Sequence, residues 1–131
     1  MKAFPQGELS SLLKNKNNKE KLETIKSFTG EQFRDHYPYI TSILNEIKQA
    51  AEKNNDFSQL SQIELISGAM FYYTKKYDKA IPVLNDLLHN STLLSGHDSV
   101  KVYFLLKNSY IGIKNSGKAF ECHKVIESIR K

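Results

Sequence analysis

The sequence predicts an all-α protein of about six or seven helices, and three observations carry that prediction. Apolar residues recur three and four positions apart through most of the chain, which is the period of one helix face. Alternating β-branched residues between tight turns, the signature of strands, are missing. Only three prolines and six glycines punctuate the 131 residues. A chain of this length suits one domain spanning 1–131, with roughly two-thirds of its unfolded surface buried on folding.

Leu9, Leu12 and Leu13 predict a short first helix, ended by the polar run Asn15 to Lys19. Leu22, Ile25 and Phe28 predict a second, closed before Thr29-Gly30. From about Glu31 another segment runs through Phe33 and Tyr37 until Pro38, which lacks a donor and crowds the preceding turn, stops or kinks it. The pattern is weakest over residues 1–35 and sharpens over 36–131. Ile40, Ile43, Leu44, Ile47, Ala50 and Ala51 share one face, with Asn45, Glu46, Lys48 and Gln49 opposite. Lys53-Asn54-Asn55 closes this helix, and Asp56 is the N-cap candidate of the next. That helix runs to about Lys75 and its successor from about Tyr77 to His89. So short a link makes them antiparallel neighbours. Residues 90–97, NSTLLSGH, read as a loop, after which Asp98 or Ser99 caps a helix through about Lys114. A turn at Asn115 to Gly117 leads to the last helix, which reaches about Ile129.

Setting Ala80 against Ala119 aligns two helix pairs 39 residues apart. Residues 61–94 then resemble a tetratricopeptide (TPR) unit: Gly68 stands at the close-packing glycine, Phe71 at the aromatic, and Tyr77, Ala80, Leu84 and Leu87 follow along the second helix. Glu64 and Ser67 depart from the pattern, standing where large apolar residues are usual, and Pro82 lies early in the second helix. Residues 100–129 resemble a second unit through Tyr103, Leu106, Tyr110, Ala119 and Ile126, with Lys107 in place of the glycine and His123 in place of an aromatic. The TPR period is about 34 residues, and the extra length falls in the 90–97 loop. Residues 40–51 resemble the second helix of a preceding unit. The resemblance implies antiparallel helix pairs stacked as a short TPR-like α-α superhelix with a concave surface that holds a protein or peptide. Similar families include sensory TPR regions of bacterial kinases and transcriptional regulators and TPR chaperones of secreted proteins, which implies docking in a bacterial regulatory system.

Composition narrows the alternatives. The N-terminal MKAFPQGELSSLL has no apolar core or small-residue cleavage pattern and does not read as a signal peptide. No apolar stretch approaches the ~20 residues of a membrane span. Cys122 is the single cysteine, so no internal disulfide forms, and a reducing cytoplasm is the expected location. The net charge of +5 gathers in the second half, where ten Lys/Arg face six Asp/Glu. Spread between acids, it makes nucleic acid the alternative rather than the first partner expected.

The chain offers little material for catalysis, and no enzyme activity, cofactor or metal is expected. Adjacent helix positions point about 100° apart, so Cys122 and His123 do not easily share a substrate, and Cys122 reads as a small core or boundary residue. His89, His97 and Asp98 lack the tight spacings of metal ligands, and His36 stands unremarkably beside tyrosines. The glycines never cluster into a phosphate-cradling loop. Some TPR domains hold a C-terminal carboxylate in a clamp of lysines, asparagines and an arginine; the resemblance implies Lys101 and Asn108 for that role, but the only arginines, Arg34 and Arg130, are on neither inner helix, so the clamp is incomplete. The expected partner-binding face is Gln62, Leu65, Ala69 and Tyr72 on one inner helix and Lys101, Phe104, Asn108 and Ile111 on the next. In the register set by Ala80 and Ala119 these occupy equivalent places.

Overall fold

A computed structural model describes residues 6–90 and 94–130, with side chains from residue 10 onward. The apolar role expected of Leu9 and the middle of the expected loop, residues 91–93, lie outside the described residues. Among those residues the chain is all-helical, with eight helices rather than six or seven. They are α1 (Gln6–Leu13), α2 (Asn18–Lys26), α3 (Gly30–Asp35), α4 (Tyr37–Lys53), α5 (Phe57–Tyr73), α6 (Tyr77–Asn90), α7 (Gly96–Gly112) and α8 (Ser116–Ile129). No helix among them is long and apolar enough to cross a membrane.

Capping raises the number of helices. Asn17 and Glu20 form a reciprocal capping box at α2, and Thr29 and Gln32 form another at α3. The second box gives α3 an independent start only three residues after α2 ends. His36 then separates α3 from α4, and Pro38 sits in the first turn of α4, where its missing N–H is no loss. The proline begins a helix here as well as limiting the one before it. Asp56 caps α5 as expected, accepting from Gln59 N at 3.1 Å.

Two other boundaries differ from the sequence reading. Ser95, not Asp98 or Ser99, caps α7 by accepting from Asp98 N at 3.0 Å. Asn115 caps α8, so Gly117 belongs to that helix rather than to a turn. In both cases the serine or asparagine lies far enough upstream to satisfy an otherwise orphaned amide of the first turn.

Two apolar clusters meet at α5. Leu13, Leu22, Ile25, Phe33, Ile40 and Ile47 build the first, into which α5 sends Ile63, Ile66 and Met70. Toward the second α5 sends Leu65 and Ala69, which pack with Ala80, Leu84, Val102, Leu106 and Cys122. Helix α5 touches α2, α3, α4, α6 and α7, so it is apolar around most of its circumference rather than along one stripe. Ala80 and Ala119 are both buried, as their expected place at helix contacts requires. Gly68 admits Leu84 so closely that a Cβ there would lie 2.6 Å from Leu84 Cδ2.

Candidate partner-binding site

The eight expected residues lie on α5 and α7, two helices that pack against each other. Their exposure divides them. Leu65 and Ala69 are 0% and 4% exposed, enclosed between α5, α6 and α7, and cannot meet a partner in this arrangement. The reason is that the stripe they share with Gln62 and Tyr72 faces the neighbouring helix α7 instead of an open groove. Phe104 and Ile111, in contrast, are each 53% exposed. With Lys101 and Asn108, both half-buried, they form one continuous stripe along α7 at spacings of three and four.

Gln62 and Lys101 enter a polar junction that joins three helices. Asp98, in the first turn of α7, receives Lys26 Nζ from α2 at 2.6 Å on one carboxylate oxygen and Gln62 Nε2 from α5 at 3.2 Å on the other. Lys101 Nζ donates to the Lys26 carbonyl at 3.5 Å. Burial raises the Asp98 carboxyl, but hydrogen bonds from Lys26 and Gln62 and the Lys26 charge outweigh it and hold the group below its ordinary value. Burial and the nearby Lys26 charge lower Lys101, with Asp98 partly opposing them. A carboxylate near a helix N-terminus also meets the favourable end of the helix dipole.

Residues so distant in sequence leave no local trace of this junction. The one available signal was an acid in the first turn of a helix, which reads equally well as a cap.

Tyr72 is anchored rather than presented. Its ring meets Tyr73 edge-on at 5.2 Å and Tyr77 at 5.9 Å. Tyr73 in turn stacks on Phe33 at 5.6 Å. Gly112 and Gly30 make room for this aromatic layer, since a Cβ at either would run into the ring of Tyr77 or Tyr73. Arg34 Nη1 donates to the Tyr73 carbonyl at 3.4 Å, which ties α3 to the end of α5.

The residues weighed for other chemistry are placed as follows. Cys122 is buried, and burial raises its thiol above the ordinary value. His123 Nδ1 lies 3.3 Å from Lys107 Nζ, and His89 Nδ1 lies 2.8 Å from the Asn85 carbonyl. Among the described residues no three His, Cys, Asp or Glu side chains gather where a metal ion would sit. No protein-family model, curated protein or solved structure matches the chain.

Proposed function

We propose that the chain is a non-catalytic protein- or peptide-binding scaffold built from TPR-like antiparallel helix pairs. Three features support the repeat reading. Each pair's second helix packs on the following pair's first, as α4 does on α5 and α6 on α7. First helices also meet one another, as α5 meets α7, and α2 with α3 meet α5 in the manner of one broken first helix.

The third feature is a pair of matching turns. Lys75 and Lys114, 39 residues apart like Ala80 and Ala119, both adopt positive φ, 62° and 64°, and so does Asn55 at the end of α4, at 54°. Behind them Lys76 N donates to Phe71 O and Asn115 N to Tyr110 O, each at 2.8 Å. Gly68 against Leu84 and Tyr72 against Tyr77 run in opposite chain senses, as an antiparallel pair requires.

The observation that carries the function is the stripe Lys101, Phe104, Asn108 and Ile111 on α7. Two large apolar side chains left half-exposed one above the other, with the Asn108 amide between them and Lys101 one turn before Phe104, suit a partner with apolar anchors and main-chain hydrogen-bonding groups. In this reading the chain works in the cytoplasm as the docking part of a bacterial regulatory system, with no cofactor.

The test is to capture a partner with the parent chain and then to measure its binding by Phe104→Ser and Ile111→Ser. Both lie at the surface, so each variant is expected to melt like the parent while losing about tenfold or more in affinity. Unaltered binding by both variants removes the assignment. A steep fall of affinity with salt would instead indicate phosphate contacts and a nucleic-acid partner.

A further inference from the structure

A concavity of about 390 Å³ lies between α4 and α6 over the flank of α5. It shares no residue with the stripe on α7. Leu44, Ile63, Met70 and Val83 supply its apolar lining. Glu64 and Ser67 line it too, the two positions where the TPR pattern calls for large apolar side chains. Neither side chain fills the space between α4 and α6.

The charges in this groove are unusual for a chain of net charge +5. Glu64 from α5 and Asp86 from α6 both line it, and no cation among the described residues closes an ion pair on either. Lys48 from α4 lies at the same groove, exposed, and offsets one of the two negative charges. Glu64 is exposed at the groove's edge but partly desolvated by its walls, which raises its carboxyl first, followed by the Asp86 charge, with Lys48 opposing. Thr41 Oγ1, also in the lining, is buried without a hydrogen-bond partner among the described residues. Apolar walls, two carboxylates and an unused hydroxyl acceptor are together complementary to one kind of group, a cation on an aliphatic stem.

We propose that the α4–α5–α6 groove receives a lysine or arginine side chain of a partner peptide, its stem along Leu44, Ile63, Met70 and Val83 and its cation between Glu64 and Asp86. The open shape favours a side chain projecting from a peptide over a free small molecule. Pockets for free ligands bury most of the ligand's surface, whereas this groove is open to solvent.

The experiment is a titration of the isotope-labelled full chain, followed by amide NMR, with acetyl-Leu-Arg-Leu-amide and its citrulline counterpart. The arginine peptide is expected to shift the signals of Thr41, Glu64, Ser67 and Asp86 and to bind about tenfold or more tightly than the neutral peptide. Glu64→Gln and Asp86→Asn should each weaken it by about tenfold, and Lys48→Gln should strengthen it. All three side chains are exposed, and the same spectra report whether the fold is kept.

Equal affinity for the two peptides, shifts confined to other helices, or no shifts overturns the proposal. Hexylguanidine, carrying the same guanidinium on a free stem, should bind more weakly than the peptide; equal binding by hexylguanidine overturns the peptide source. Failure here leaves the α7 reading intact, because Phe104 and Ile111 take no part.

Discussion

Gly68 shows how one absent methyl group sets a helix contact. A Cβ at this position would lie 2.6 Å from Cδ2 and 2.9 Å from Cγ of Leu84, and Leu84 is wholly buried with nowhere to withdraw. Gly68→Ala is therefore expected to lower stability by about 1–3 kcal/mol, although alanine is the better helix former. Urea or thermal melts give the value, and Gly96→Ala, where nothing lies within 4 Å, is the control expected to stay within experimental error or gain slightly. The tight contact at Gly68 was legible in the sequence through the resemblance of residues 61–94 to a TPR unit. Gly112 was not, since its neighbour Tyr77 comes from the preceding helix and no spacing rule links them. Leu65 and Ala69 mark the opposite case, in which a correct helix face was assigned to the wrong surroundings.

At the level of elements, α5 and α7 end in turns that are built alike. Lys75 and Lys114 hold left-handed backbone, which costs a residue with a Cβ roughly 1–2 kcal/mol relative to glycine. Glycine regains part of that by easing the strain and loses part to its greater freedom in the unfolded chain. Lys75→Gly and Lys114→Gly should each raise stability by about 0.5–1 kcal/mol, and by similar amounts because the two turns are built alike. Both side chains are exposed, so no packing is lost. Melting of the two single variants checks the values, and a gain at one site with a loss at the other would count against equivalent turns. Helix type and approximate extent were readable from periodicity. The exact starts of α7 and α8 were not, because serine and asparagine several positions apart compete as caps and only the completed hydrogen bond decides between them.

At the scale of the molecule, the Asp98 junction ties α2, α5 and α7 together across 72 residues of chain. Its acid group is held below its ordinary value, so the stability it contributes is present above the unfolded carboxylate range, near pH ~3.9. That contribution is lost as pH falls through the folded value. Asp98→Asn is accordingly expected to be less stable than the parent at neutral pH, with the gap narrowing below about pH 4. Urea denaturation at a series of pH values measures the gap. If it stays constant with pH, the tie is one of shape and hydrogen bonding rather than charge. Hydrogen exchange should show the loss of protection concentrated in α2, whose Lys26 is left without its carboxylate partner.

Local physics lets the sequence by itself determine the all-helical class, the short links that set α5 beside α6 and α7 beside α8, and the burial of Ala80 and Ala119. Each depends on periodicity, capping chemistry or a small residue at a close contact, and all of these are written within a few turns of helix. Only the tertiary structure decided which faces remain open. Whether Leu65 meets solvent or Val102, and whether Glu64 and Ser67 leave a groove or are covered, depends on helices that arrive from elsewhere in the chain. Burial is a property of all the elements that surround a residue, and α5, touched on nearly every side, is where one helix's pattern says least about its surroundings.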